Sequence, residues 1–289
     1  MENNIYNPEY VKGLFNKMSN SYERMNFITS FGFSIRWRRQ FLKPFKQTKH
    51  KAEIIDLLTG MGETWKATKN TLPNSNLTVL DFSDGMLKYA KQKSKLKFNN
   101  EINVLQQDVL NNELLSNHYD FVTCAFGLKT FNTEQLQTLA KETKRILKVG
   151  GQFSFIEVSK PNNKLLKILY GFYLGQIIPI LGRLLLGNPE EYKMLWQYTN
   201  KFDNAKKATK IFSQVGLPTN FNSYFYGCAT GFYGTKTDEE KKPSHQHRIG
   251  NSGTDSCKLN ICISIGHLYK CWADVFQMPH HRQYVNRWL

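Results

Sequence analysis

The chain has 289 residues and a mass of 33.6 kDa, enough for one large α/β domain with an appendage or for two modest domains. Hydrophobic residues make up 40% and charged residues 21% of the chain, which excludes wholesale disorder. The net charge of +16 is compatible with nucleic acid, with anionic lipid or with neither as a partner. Five cysteines, an odd number gathered mostly near the end, indicate no disulfide framework, so we expect a reducing, cytoplasmic compartment.

Two further classes are excluded by the N-terminus and by the longest apolar run. The first residues have neither a basic start nor an apolar core, so they do not predict a secretory signal. The longest mostly apolar run without a charge, residues 168–182, contains Pro179. As a helix it would reach only about 22 Å, less than the roughly 30 Å hydrocarbon core of a bilayer. We therefore expect no membrane-spanning helix.

Apolar positions at helical spacing predict helices within residues 8–46, so that residues 1–50 form an N-terminal helical cap. In residues 51–236 short apolar runs alternate with helix-like segments, which is typical of a mainly parallel sheet with helices on both faces. We expect an α/β domain with seven strands, the last of them antiparallel and joined to its neighbour by a hairpin around Gly227. The predicted strands are Ala52–Leu58, Leu77–Phe82, Ile102–Gln106, Tyr119–Phe126, Gln152–Val158, Phe221–Tyr226 and Cys228–Thr235. The predicted helices are Glu63–Thr71, Asp84–Lys95 and Thr133–Leu147, followed by a helical insert at about 162–215.

From Lys236 the chain is charged, polar and contains Gly, Ser and Pro, while its last 30 or so residues are mildly apolar. Residues 237–289 are therefore predicted to be a linker and a C-terminal extension of unknown role. Side chains that could suggest a metal site there are Cys257, Cys262, His267 and Cys271. Their C-x4-C-x4-H-x3-C spacing fits no common zinc module, so no metal is predicted.

The strongest local feature is the exit of the first predicted strand, where Asp56 precedes the closely spaced glycines of the segment 60–62. Glycines between a strand and a helix let a ligand approach the backbone closely. Asp81 ends the second strand, where an acid can accept both hydroxyls of a ribose. Asp108 follows the third strand and is placed to accept from an adenine amino group. Because the carboxyl ends of parallel strands meet at one edge of the sheet, these residues predict a nucleoside site.

The nucleoside could belong to NAD(P) or to S-adenosyl-L-methionine. A dinucleotide fingerprint needs a third glycine where Trp65 stands, and no second mononucleotide half is evident. The glycine loop and the two acids therefore favour S-adenosyl-L-methionine as the cofactor.

Three segments resemble the ubiquinone/menaquinone biosynthesis C-methyltransferase (UbiE/MenG) family, over about residues 8–236. The first, Tyr22-Glu23-Arg24-Met25-Asn26 with Ser30, Ser34 and Trp37, is similar to the family's Y-D-x-M-N followed by S, H and W. The second covers residues 145–159, RILKVGGQFSFIEVS, and fits the family signature throughout. The third, Phe126-Gly127-Leu128, matches the start of the family's F-G-L-R-N segment.

The resemblance implies a Rossmann-like class I methyltransferase that uses S-adenosyl-L-methionine to methylate a ring carbon of a prenylated quinol. A menaquinone precursor is slightly favoured over a ubiquinone precursor as the acceptor. The candidate cofactor-binding residues are Asp56, Gly60, Met61, Gly62, Asp81, Phe82, Met86, Asp108, Val109 and Ala125.

This chain departs from the family at Glu23, where the family has Asp, and at Lys129-Thr130, where an Arg-Asn pair faces the substrate. Met61 replaces a threonine, and Leu58 crowds a position that is normally small. A ring carbon becomes a nucleophile only when an adjacent phenolic hydroxyl has lost its proton. We expect a base or a bound water near the candidate catalytic residues, with the lysine cation stabilising the phenolate. The candidate catalytic residues are Tyr22, Glu23 and Lys129.

The apolar segment 165–186 has three interpretations: a slot for a prenyl tail, a membrane-docking surface that makes the protein peripheral, or an ordinary buried pair of helices. The basic stripe Arg36-Trp37-Arg38-Arg39 indicates a solvated face or a membrane-surface patch rather than a nucleic-acid site. No nucleic-acid partner is expected, because the Asp/Asn-Pro-Pro-aromatic loop of many base N-methyltransferases is absent. A homodimer is a further partner to consider. The alternatives to quinol C-methylation are O- or N-methylation of another small molecule and a catalytically inactive partner subunit.

Overall fold

The computed structural model of the protein describes residues 5–20, 22–23, 27, 30, 32–177, 180 and 189–238, with the side chains of 174 and 189–193 left out. The strands are β1 (Ala52–Leu57), β2 (Ser75–Asp81), β3 (Ile102–Gln106), β4 (Tyr119–Ala125), β5 (Leu147–Val158), β6 (Thr219–Tyr224) and β7 (Ala229–Thr235). The helices are α1 (Pro8–Met18), α2 (Phe33–Gln40), α3 (Trp65–Thr71), α4 (Asp84–Lys97), α5 (Thr133–Ile146), α6 (Lys164–Phe172), α7 (Pro189–Phe202) and α8 (Lys206–Gln214).

The seven strands form one sheet in the order β3-β2-β1-β4-β5-β7-β6. Strands β1 to β5 are parallel to one another, and β7 is antiparallel to both β5 and β6. A turn at Phe225–Gly227 joins β6 to β7, so the predicted hairpin and the predicted mainly parallel sheet are confirmed. The strand order reverses between β1 and β4, which is where ligands bind in open α/β sheets.

Apolar strand residues alternate between two cores, one on each face of the sheet. Ile55 and Phe153 belong to the core that α5 and α8 cover. Ile54 and Phe121 belong to the core that α2, α3, α4 and α6 cover. Side chains of successive strand residues point to opposite faces, so a strand that is apolar throughout is buried on both sides, as the sequence predicts.

The main difference from the predicted boundaries is at the start of β5. The predicted bounds leave Gly150 and Gly151 between a helix that ends at Leu147 and a strand that begins at Gln152, but β5 already begins at Leu147, which pairs with Tyr119. The register shifts between Tyr119 and Phe121, and Gly150 takes a left-handed φ of 81°. The two glycines therefore form an irregularity inside a strand.

Helix α1 crosses the carboxyl edge of the parallel strands because polar contacts hold it there. Asn7 caps its N-terminus by accepting from the backbone N–H groups of Glu9 and Tyr10. Asn16 Oδ1 accepts from Ser83 Oγ at 2.7 Å and from the Gly85 backbone N–H at 2.9 Å, at the start of α4. The predicted N-terminal helices are thus α1 and α2, while Arg24–Asn26 of the first signature lie outside the described residues.

Helix α6, at the start of the helical insert, has an unusual surface. Its Leu165, Ile168, Leu169 and Phe172 are each more than half exposed, while Leu166 and Tyr170 pack against the core that contains Phe126. Within the described ranges, no helix is both long enough and apolar enough to cross a membrane.

Candidate active site

A cavity opens at the carboxyl edge of the sheet, beside the reversal of strand order. It encloses about 830 Å³ with its open mouth included, a size typical of small-molecule sites. Its wall combines the ends of β1, β2 and β4, the segment after β3, helix α1 and one side chain of α2. The described residues that line it are Tyr6, Pro8, Val11, Phe15, Tyr22, Arg38, Leu58, Thr59, Gly60, Glu63, Thr64, Asp81, Phe82, Met86, Asp108, Val109, Leu110, Ala125, Phe126, Gly127, Thr130, Phe131 and Gln135.

The glycine loop after β1 has the geometry that its sequence predicts. Gly60 and Gly62 have left-handed φ values of 57° and 78°. A Cβ at Gly62 would lie 2.5 Å from the Trp65 ring, so only glycine fits. The Trp65 indole N–H donates to Thr59 Oγ1 at 2.7 Å, which fixes that ring against the loop.

Asp56 lies behind the loop rather than on the cavity wall. Its carboxylate accepts from the Thr59 hydroxyl and from the Thr123 hydroxyl, both at 2.7 Å. Burial raises the pKa of the Asp56 carboxyl to about 6, although these hydrogen bonds oppose the rise. Asp56 therefore positions the loop through Thr59.

Asp81 lines the cavity at the end of β2. Its Oδ2 accepts from the Gly60 backbone N–H at 2.8 Å, and its Oδ1 accepts from the Ser83 backbone N–H at 2.9 Å. Burial raises the pKa of the Asp81 carboxyl to about 6. The two main-chain donors fix the orientation of the carboxylate and leave each oxygen with a lone pair for a further donor.

Seven of the ten candidate cofactor-binding residues lie together on the wall: Gly60, Asp81, Phe82, Met86, Asp108, Val109 and Ala125. Asp108 is held by the Leu110 backbone N–H, which donates to its Oδ1 at 2.9 Å. The other three candidates, Asp56, Met61 and Gly62, are not among the described residues of the wall.

The three candidate catalytic residues are separated. Tyr22 lines the cavity, and its ring packs edge-on against Phe15 with the ring centroids 5.8 Å apart. The Glu23 side chain is 49% exposed and lies 3.5 Å from the Lys93 ammonium. The structure therefore brings Tyr22 to the cavity and places Glu23 in an ion pair on the surface.

Lys129 is buried, and its charge is balanced by a buried carboxylate. Its Nζ donates to Glu157 Oε1 and to the Phe126 carbonyl, both at 2.8 Å. The Lys129 backbone N–H donates to Glu157 Oε2 at 3.1 Å. Lys129 is not among the described residues of the wall, but this pair anchors the turn Leu128–Thr130, and Thr130 does line the cavity.

Sequence reasoning missed several wall residues. Leu58 and Phe126 directly follow β1 and β4 and have left-handed φ values of 56° and 68°, a strained conformation that clusters at functional sites. Gln135 donates to the Tyr6 carbonyl at 2.9 Å and so ties α5 to the segment before α1. Arg38 was assigned to a basic surface stripe, yet it is buried at the cavity. Trp37 and Ser34, one turn earlier, are buried too, so Arg38 lies on the inward face of α2. In the sequence, the apolar Trp37 beside it is the only sign of that face.

Within the described parts of the chain, no group of three or more His, Cys, Asp or Glu side chains could hold a metal ion. The cysteines and the histidine of the predicted C-terminal extension lie outside the described residues.

The sheet, the glycine loop and the acids after β2 and β3 define a class I S-adenosyl-L-methionine-dependent methyltransferase. Solved structures support the fold. A structure titled as a putative S-adenosyl-L-methionine-dependent methyltransferase of Methanococcus maripaludis matches with a TM-score of 0.55 and 18% identity, covering 78% of this chain and 95% of that one. Phosphoethanolamine N-methyltransferase 2 of Haemonchus contortus, in complex with S-adenosyl-L-methionine, matches with a TM-score of 0.54 and 15% identity, covering 80% and 59%.

Sequence comparison gives the family. Residues 3–236 match the model of the ubiE/COQ5 methyltransferase family, and the chain belongs to that family. A demethylmenaquinone methyltransferase of Lactococcus lactis is 30% identical over 84% of this chain and 95% of its own length. One of Staphylococcus haemolyticus is 31% identical over 84% of this chain and its whole length. The predicted methyltransferase activity and its cofactor, S-adenosyl-L-methionine, are confirmed.

Proposed function

We propose that this methyltransferase acts on a ring carbon of a prenylated quinol, and that its acceptor is a demethylated menaquinone precursor. The observation that carries the proposal is the match of nearly the whole length of two demethylmenaquinone methyltransferases. The character of the cavity adds support, since part of its wall is formed by Tyr6, Val11, Phe15, Phe126 and Phe131. An aromatic and aliphatic wall suits a flat, apolar ring.

The acids and the glycine loop of the wall fit S-adenosyl-L-methionine, which supplies an electrophilic methyl group on its sulfonium. Asp81 would accept from the ribose hydroxyls and Asp108 from the adenine amino group. The glycine loop reaches the cavity wall at Gly60, where the absence of a side chain lets the ligand approach the backbone closely. Holding donor and acceptor in contact is the main task of such an enzyme.

Proton removal from the acceptor is assigned to the end of the cavity near Tyr22. Its side chain lines the cavity, so a phenolic hydroxyl or a water that it orients can contact the quinol. Lys129 is paired with Glu157, which supports a positioning role for it, whereas the exposed Glu23 pairs with Lys93 on the surface. Lys129 acts through the turn that presents Thr130.

Helix α6 supports a membrane as the source of the acceptor. Four large apolar side chains are exposed along it, and the exposed Lys164 and Lys167 on the same helix would contact anionic lipid headgroups if the helix docked. A prenylated quinol resides in the bilayer, so a peripheral enzyme that docks through α6 would meet it there.

The test of the proposed function uses purified protein, methyl-labelled S-adenosyl-L-methionine and a reduced polyprenyl naphthoquinol in detergent. We expect label in the lipid fraction, and we expect the product to reoxidise in air to a quinone, because a C-methylated quinol keeps both hydroxyls. A product that carries label but resists reoxidation would indicate O-methylation instead. No labelled lipid, despite cofactor binding measured by calorimetry, would point to a soluble acceptor.

Two controls complete this experiment. The Asp81→Ala variant, which loses the proposed ribose contact, should leave the lipid unlabelled. A polyprenyl benzoquinol in place of the naphthoquinol tests the head group, and faster labelling of the benzoquinol would overturn the menaquinone assignment.

A further inference from the structure

Arg38 and Glu63 are two charged side chains that face each other at the cavity with their hydrogen bonds incomplete. Each side chain is only 9% exposed, and both line the wall. Arg38 Nη2 lies 3.9 Å from Glu63 Oε1, beyond hydrogen-bond distance. Among the described residues, neither Arg38 Nε nor Glu63 Oε1 has a hydrogen-bond partner. A buried donor and a buried acceptor left in this way destabilise a protein unless a ligand satisfies them.

Both side chains are held in place by their surroundings. The guanidinium carbon of Arg38 lies 5.0 Å from the centroid of the Phe126 ring, within cation–π range. Glu63 Oε2 accepts from the Met61 backbone N–H at 3.1 Å, which anchors this carboxylate to the glycine loop. The two charged groups are therefore held in fixed positions at the cavity, as a binding site requires.

The order of the strands indicates which part of a bound ligand would lie next to Arg38 and Glu63. Along the carboxyl edge, Asp108 follows β3, Asp81 ends β2, the loop with Glu63 follows β1, and Phe126 follows β4. A nucleoside with its adenine at Asp108 and its ribose at Asp81 extends its 5′ substituent toward β1 and β4. In S-adenosyl-L-methionine that substituent ends in an α-ammonium and an α-carboxylate.

We propose that Arg38 and Glu63 form the subsite for the amino-acid end of S-adenosyl-L-methionine. Arg38 Nε donates to the α-carboxylate, and Glu63 Oε1 accepts from the α-ammonium. The charges are complementary as well as the hydrogen bonds, because the guanidinium of Arg38 faces the α-carboxylate and the carboxylate of Glu63 faces the α-ammonium. This assignment rests on the nucleoside placement given under the proposed function.

The test compares two ligands by titration calorimetry: S-adenosylhomocysteine, which carries the amino-acid end, and 5′-methylthioadenosine, which lacks it. We expect Arg38→Met and Glu63→Gln each to weaken S-adenosylhomocysteine binding about 10- to 100-fold, as for the loss of a hydrogen bond between charged groups. Binding of 5′-methylthioadenosine should change less than about threefold, and it also shows that each variant is folded. Arg39→Met is the matched control, an exposed arginine on the same helix, and should bind both ligands as the unaltered protein does.

Each of the other outcomes has a clear reading. Equal weakening for both ligands would show that the pair only supports the structure, and the proposal would be overturned. Unchanged binding of S-adenosylhomocysteine by both variants would also overturn the proposal. It would indicate that Arg38 and Glu63 contact the methyl acceptor instead. Failure of the unaltered protein to bind either nucleoside would refute the nucleoside placement itself, which is a failure of the proposed function.

Discussion

At one end of the cavity, the carboxylates of Asp81 and Asp108 are oriented by backbone N–H groups that lie within a few residues or in the adjacent loop. At the other end, the wall is assembled from segments far apart in the chain. Gln135 bonds the carbonyl of Tyr6, and Lys129 pairs with Glu157 on β5. The first end is proposed to bind the methyl donor, and the second the acceptor.

This difference predicts different responses to substitution. A site built on main-chain donors depends little on its neighbours, because the backbone groups remain when a distant side chain is altered. A site assembled from distant segments depends on the stability of the whole domain. We therefore expect that the donor end can be damaged without unfolding, whereas damage to the acceptor end lowers the free energy of unfolding.

The largest effect is expected for Lys129→Met, which breaks the buried ion pair and leaves the Glu157 carboxylate without its cation. Removing one partner of such a pair costs about 3–5 kcal/mol. Urea denaturation should show this loss. The double variant Lys129→Met with Glu157→Gln should regain most of it, because no buried charge is then uncompensated. A single variant as stable as the unaltered protein would contradict the division between the two ends.

The next largest effect is expected for Asp81→Asn at the donor end. The amide cannot accept from both ribose hydroxyls while the backbone donors are also satisfied, so S-adenosylhomocysteine affinity should fall about 10- to 100-fold. Calorimetry measures this change. Asp84→Asn is the matched control, since Asp84 is 58% exposed and pairs with Lys12 outside the cavity wall. If both variants lost S-adenosylhomocysteine affinity equally, the proposed role of Asp81 in binding the ribose would be contradicted.

The smallest expected effect is that of pH on the affinity for S-adenosylhomocysteine. Burial raises the pKa of the Asp81 carboxyl to about 6 in the free protein. The ribose hydroxyls bind the ionised form, so S-adenosylhomocysteine affinity should be fully present above pH 6 and be lost as the pH falls through that value, by at most about tenfold per unit. Asp56 has a similarly raised pKa and titrates in the same range. Asp81→Asn should therefore flatten the profile without abolishing it, and an unchanged profile would assign the titration to another group.

The donor end could be predicted from the sequence because its signals are local. The glycine loop follows the first predicted strand, Asp81 lies at the end of the second and Asp108 comes soon after the third, and parallel strands bring their carboxyl ends together. The role of Lys129 could not be predicted in this way, because its partner Glu157 is 28 residues away, on the neighbouring strand. Arg38 was missed for a different reason: a run of basic residues suggests a surface, while the helical period turns one of them inward.

The end of the family domain also has a fixed position. Because β7 runs antiparallel to β5, Lys236 lies at the edge where the parallel strands begin, opposite the cavity. Its ammonium donates to the carbonyls of Lys144 and Leu147, both at 2.8 Å, at the C-terminal end of α5. A dye or a surface linkage attached at Asp238 would therefore lie on the far side of the sheet. The exchange of donor and product could then be followed in real time on immobilised protein without blocking the entrance.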